Sequence, residues 1–161
     1  MTEYPQAGVP DSGWQGVHHI ALVTPDLEAT VTFYENVLGM QATPVYPATA
    51  QRGRHCFVKP GDTECWGIHF FEYPDARIFE SADALRRLSA NPQAADLYRF
   101  LPGALQHIAF AVRSEQDGLA LRRKLASHGV VMTDIYDQGR LRNFIFIDNN
   151  GIQLEAAWPK P

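Results

Sequence analysis

Cysteine is scarce: the 161 residues hold only Cys56 and Cys65, and neither belongs to a CxxC pair. This excludes a disulfide framework and a zinc ribbon, and fits a reduced, cytoplasmic setting. Positive charge is also in short supply, with 14 Lys and Arg against 18 Asp and Glu and a formal net charge of −4. Such a balance argues against nucleic acid or an anionic membrane as partner. No apolar run reaches the length of a membrane span. The opening MTEYPQAGVPDSGWQG has neither a basic start nor an apolar stretch, so no signal peptide is expected and 1–15 reads as a flexible lead. There is no phosphate loop or dinucleotide fingerprint. Neither cysteine has a neighbouring base in the sequence, so nothing supports nucleophilic catalysis.

What is present is a 45% hydrophobic chain of single-domain length that contains an internal repeat. Val17-His18-His19-Ile20-Ala21-Leu22-Val23-Thr24 resembles Leu105-Gln106-His107-Ile108-Ala109-Phe110-Ala111-Val112. Both carry the period-two pattern of a strand. A helix follows each. In the first half Thr24 is the expected cap, Leu27, Val31, Tyr34 and Leu38 fall at helical spacing, and Gly39 ends the run. In the second half Ser114 with Asp117 forms a capping arrangement, and His128-Gly129 close the helix. Strand-like runs then follow at 41–46, 54–59 and 65–73, and again at 130–136, 141–148 and 152–157. The last two are joined by Asp148-Asn149-Asn150-Gly151, a hairpin signal. The expected architecture is α+β, one domain over 16–159. It consists of βαβββ modules at 16–74 and 103–159, joined by a helical connector at 75–102 that packs on one edge rather than acting as a lid.

Strand alternation sorts the side chains by face. His19 shares a side with Ala21 and Val23, and His107 with Ala109 and Ala111, on the face away from the helix. His18 falls on the opposite side from His19. His69 lies opposite the apolar set Trp66, Ile68 and Phe70, and Glu155 opposite Ile152, Leu154, Ala156 and Trp158. His69 follows His19 by 50 residues and Glu155 follows His107 by 48. Four potential metal ligands therefore recur at matching places in a duplicated unit. Three imidazoles and one carboxylate suit a divalent transition ion and leave a net +1 that can polarise a substrate oxygen. Glu72 falls on the helix-facing side and reads as a surface carboxylate. Arg52, Arg54, His55 and Lys59 read as a solvated edge strand rather than an anion-binding set. Arg140, Arg142 and Asn143 read the same way in the second half.

His19-Ile-Ala-Leu-Val-Thr-Pro-Asp26-Leu with Phe33-Tyr34 and Val37-Leu38-Gly39-Met40 resembles the opening motif of the vicinal oxygen chelate superfamily. Its members include glyoxalase I, methylmalonyl-CoA epimerase, extradiol dioxygenases, and fosfomycin- and bleomycin-resistance proteins. Gln106-His107-Ile-Ala-Phe-Ala-Val and Asp148-Asn-Asn-Gly151-Ile-Gln-Leu-Glu155 resemble its second-half motifs. The resemblance implies paired modules in a cup-shaped mixed sheet around one divalent transition ion (iron, nickel, zinc, cobalt or manganese). It places His19, His69, His107 and Glu155 on the four metal positions. Glyoxalase I and the epimerases carry Glu or Gln where this chain has His69.

The implied activity is that of a metal-dependent isomerase, lyase or epimerase. Two neighbouring substrate oxygens chelate the ion, an enediolate is stabilised, and Glu155 or else His69 serves as base. One alternative is an iron(II) ring-cleaving dioxygenase built on His19, His107 and Glu155, with His69 beside the metal. The other is a non-catalytic small-molecule or antibiotic-binding protein whose groove is lined by Phe71, Tyr73, Tyr136 and Phe144. The expected partners are a small-molecule substrate and a second copy in a homodimer, with no nucleic acid and no membrane.

Overall fold

The structure, a computed structural model, describes residues 17–50, 52–62, 67–76, 105 and 107–161. The N-terminal lead and nearly all of the expected connector lie outside the described residues, as do Cys65 and Trp66.

Each half builds the expected unit. Strand β1 (His19–Thr24) leads into α1 (Leu27–Thr32), which continues as a wider π turn over Phe33–Val37. Strands β2 (Gln41–Ala42), β3 (His55–Lys59) and β4 (Gly67–Glu72) follow. The second half repeats this order with β5 (Ile108–Ala111), α2 (Glu115–Ser127), β6 (Tyr136–Asp137), β7 (Leu141–Ile147) and β8 (Gln153–Pro159). The sheet orders are β1-β4-β3-β2 and β5-β8-β7-β6, with the first pair in each parallel and the others antiparallel.

Capping explains where the helices start. Asp26, not Thr24, is the cap of α1, and its carboxylate accepts from the Ala29 N–H at 2.8 Å. Thr24 is drawn inward because its hydroxyl donates to Asn150 Oδ1 (2.8 Å) and lies 2.8 Å from the Thr30 hydroxyl. At α2, Ser114 Oγ accepts from the Asp117 N–H, as the sequence suggests. The α2 helix then presses onto β8 at Gly118. A Cβ there would come within 2.6 Å of the Trp158 ring, so only glycine allows this approach.

One core runs through both modules. Leu27, Tyr34, Ile68 and Phe70 from the first join Phe144, Phe146, Leu154 and Trp158 from the second. These are the helix-facing positions of the alternation, and burying each large side chain contributes roughly 1.5–3 kcal/mol. A buried polar seam crosses the same boundary. Tyr34 donates to Asp148 Oδ2 at 2.8 Å, and Asn150 Nδ2 donates to Thr30 Oγ1 at 3.0 Å. Asp148 Oδ1 in turn accepts from the N–H groups of Asn150 and Ile152, which shapes the β7–β8 turn. The opposite face of each sheet stays open. There, in β1, His19, Ala21 and Val23 are exposed while Ile20 and Leu22 are partly covered.

Candidate metal centre

On the open face of the first sheet the register sets Ala21 beside His69 and His19 beside Gly67. Across the β3–β4 ladder, Phe57 opposes His69 and His55 opposes Phe71. The small Ala21 and the aromatic neighbours give His69 a slot. Its ring stacks on Phe57 at 3.9 Å between centroids, packs against Phe71 at 4.0 Å, and is only 7% exposed. Its Nε2 lies 3.1 Å from His55 Nδ1, and its centroid is 5.6 Å from that of His19. Burial, then the neighbouring His55, His19 and Arg52, depress its pKa to about 4. His69 is therefore a neutral imidazole at pH 7, with a lone pair available to a metal.

The second sheet carries the equivalent half. Ala109 lies beside Glu155 in the parallel β5–β8 ladder, as Ala21 lies beside His69. His107 Nε2 is 3.2 Å from Glu155 Oε2. Asn143 Nδ2 donates to Glu155 Oε1 at 2.8 Å. Because a carboxylate only accepts, this contact fixes which way the Asn143 amide points. Asn143 Oδ1 is left buried with no partner among the described residues.

The four predicted ligands thus stand as two pairs, His19 with His69 and His107 with Glu155. Among the described residues no group of three or more His, Cys, Asp or Glu is close enough to hold an ion. The donor set still suits a divalent transition ion. It comprises imidazole nitrogens and a carboxylate that is already oriented by an outer partner, the arrangement in which ligating side chains are usually held.

Two residues read as solvated edge belong to the site. His55 and Asn143 occupy the same register position in the two modules, opposite Phe71 and Ala157, and each bonds the candidate ligand of the next strand. The edge reading fails because β2 and β6 pair outside β3 and β7, making those strands internal. The signal was present in the spacing, since 143 − 55 equals 107 − 19.

Other expectations change in detail. Outside its strand, His18 turns back so that its Nδ1 lies 2.9 Å from His19 Nδ1 instead of pointing away. Glu72 is not a surface carboxylate; it accepts from the Leu27 N–H and Arg54 at 3.2 Å each, anchoring the start of α1. Arg54 is shared between Glu72 and Glu28. Arg142 pairs with Glu115 and lies 3.7 Å from Asp137. Cys56 is buried, and burial foremost raises its thiol pKa to about 11.

The Glyoxalase/Bleomycin resistance protein/Dioxygenase superfamily model matches residues 16–156. A glyoxylase/bleomycin resistance protein/dioxygenase domain from Frankia sp. EAN1pec superposes with a TM-score of 0.66 at 19% identity, covering 91% of this chain and 99% of that one. The genomically encoded fosfomycin resistance protein FosX of Listeria monocytogenes gives 0.58 at 19% identity, covering 91% and 95%. Human mitochondrial methylmalonyl-CoA epimerase is 33% identical over 70 residues, 42% of this chain. That match spans 40% of the epimerase. Among the described residues no helix is long and apolar enough to cross a membrane.

Proposed function

Because the chain belongs to the Glyoxalase/Bleomycin resistance protein/Dioxygenase superfamily, we propose that it is a metal-dependent isomerase, lyase or epimerase. Its substrate is a small molecule offering two neighbouring oxygens, and His19, His69, His107 and Glu155 hold one divalent transition ion. The observation that carries this reading is the repeated register. In each module a ligand-type side chain stands beside a small alanine, next to a first-strand histidine, and is bonded by the repeat-related residue of the adjacent strand. Partial identity with an epimerase supports proton-transfer chemistry.

The bound ion would supply Lewis-acid stabilisation of charge developing on the substrate oxygens. Glu155 is the group we assign to take the proton from the neighbouring carbon. His69 suits that step less, since His55 engages its Nε2. His55 and Asn143 hold the two side chains in place. The pairs are united in a homodimer, with module one of one protomer facing module two of its partner. The exposed apolar side chains Tyr136 and Leu141 on the second sheet support such covering.

The bond between His69 and His55 favours one second reading. If His69 stays outside the coordination shell, His19, His107 and Glu155 form the two-histidine, one-carboxylate set of non-haem iron oxygenases. Metal analysis of protein purified without added metal, beside His107→Ala, separates the cases. About one ion per chain, lost in the variant, supports a shared site. Nickel, cobalt or zinc favours the isomerase or lyase, and iron the dioxygenase. No metal and no uptake on reconstitution overturns both and leaves a binding groove.

A further inference from the structure

Beside the first half-site is a cleft of about 370 Å³ lined by Ala21, Leu22, Val23, Arg52, Phe71 and Tyr73, a volume suited to a small molecule. Its floor is the open face of β1 and β4, where Val23 and Tyr73 are exposed. Arg52 is the only charged residue among those six. Its neighbour Arg54 is taken up by Glu28 and Glu72, whereas no carboxylate among the described residues pairs with Arg52. Its position follows from the backbone. Gly53 runs so close to β4 that a Cβ would meet the Glu72 carbonyl oxygen at 2.5 Å, so this approach requires glycine. The chain can then leave the ladder there, with Arg54 on the helix side and Arg52 over the open face. Ala21 and Phe71, which line the cleft with Arg52, also flank His69 in the sheet, which places Arg52 on the side of the proposed metal centre.

Resting on the metal-centre reading above, we infer that Arg52 recognises a carboxylate on the substrate, while the substrate's two neighbouring oxygens address the metal. The guanidinium offers a planar fork that matches a carboxylate bidentately. A single cation on an otherwise apolar floor matches one negative charge on an apolar body better than it matches a dianionic phosphate.

Calorimetric titration of the nickel-loaded protein tests this with acetohydroxamate, a bidentate oxygen donor that carries no carboxylate. Its comparators are the monohydroxamates of malonic, succinic and glutaric acid, which add one carboxylate on a lengthening spacer. At least one carboxylated probe should bind about tenfold tighter than acetohydroxamate. The advantage should vanish in Arg52→Gln and survive in part in Arg52→Lys, with acetohydroxamate binding unchanged in all three. Equal binding of acetohydroxamate and the carboxylated probes by the wild type overturns the role of Arg52 and leaves the metal reading standing. Failure of acetohydroxamate to bind sinks the metal reading instead. Arg52 is then judged from succinate added to the metal-free protein. A shift of the Arg52 Nε–H resonance supports recognition, and an unmoved resonance overturns it.

Discussion

Asp148 lies in the seam between the modules, and replacing it with Asn tests how that seam responds to charge. Asp148 is only 5% exposed. Burial lifts its carboxyl from 3.8 to about 6, against the opposing pull of the Ile152 N–H, the Tyr34 hydroxyl and the Asn150 N–H. The folded protein thus holds this proton more tightly than the unfolded chain. The stability tied to the protonated carboxyl is fully present below pH 3.8 and is lost as pH rises through 6. The gap corresponds to about 3 kcal/mol in all, most of which develops between pH 4 and pH 8. In Asp148→Asn the amide oxygen can still accept from the two N–H groups and Nδ2 can donate to the Tyr34 oxygen, but there is no charge to bury. Urea unfolding of both proteins at steps of pH measures the effect, and the difference between them cancels groups that titrate alike. The variant should gain roughly 2–3 kcal/mol on the wild type between pH 4 and pH 8. A difference that stays flat, or that runs the other way, would show that the hydrogen bonds outweigh burial and would refute the reasoning.

Removing the outer partner of Glu155 in Asn143→Ala should weaken metal affinity about 10- to 100-fold with little loss of fold, read by competition with a chelating dye. Unchanged affinity would deny Asn143 its orienting role. Gly118→Ala should destabilise by roughly 1–3 kcal/mol despite alanine's better helix propensity, because the new methyl meets the Trp158 ring; thermal unfolding measures this. His69 should stay neutral in metal-free protein down to about pH 4, as seen in its imidazole NMR signals. Since this pKa lies below that of the unfolded chain, the stability from the neutral ring is present above about pH 6.5 and falls away as pH drops toward 4. Cys56 should resist alkylation at pH 8 until the protein is unfolded, by mass-spectrometric labelling, and rapid labelling of the native protein would contradict its burial and raised pKa.

The duplicated architecture was legible because both of its signals are strong and local. Period-two alternation put Ile68, Phe70, Leu154 and Trp158 in the core and left His19, His69 and Glu155 opposite. Caps and the Asp148–Gly151 turn marked the element ends. What escaped depended on contacts between elements. The expected runs at 41–46 and 130–136 supply only two ladder residues each, in β2 and β6, and their place outside β3 and β7, which makes those strands internal, is a matter of pairing that no period shows. Without that pairing His55 and Asn143 looked like parts of charged edges. Thr24 failed as a cap because its partner, Asn150, lies in the other module.

How the four predicted ligands meet was not legible for a further reason: alternation assigns a face but not what that face meets. The two halves kept one backbone arrangement and diverged in charge. One module pairs a buried neutral imidazole with His55 beside the cation Arg52; the other pairs the Glu155 carboxylate with Asn143. Two identical halves would have offered a dication either four imidazoles, leaving its full charge, or two carboxylates, cancelling it. On the proposed reading, the diverged pair would offer one carboxylate to the metal and leave the only cation of the adjoining cleft to the substrate. On this argument the asymmetry between the halves, more than the ligand count, determines which molecule the centre can hold.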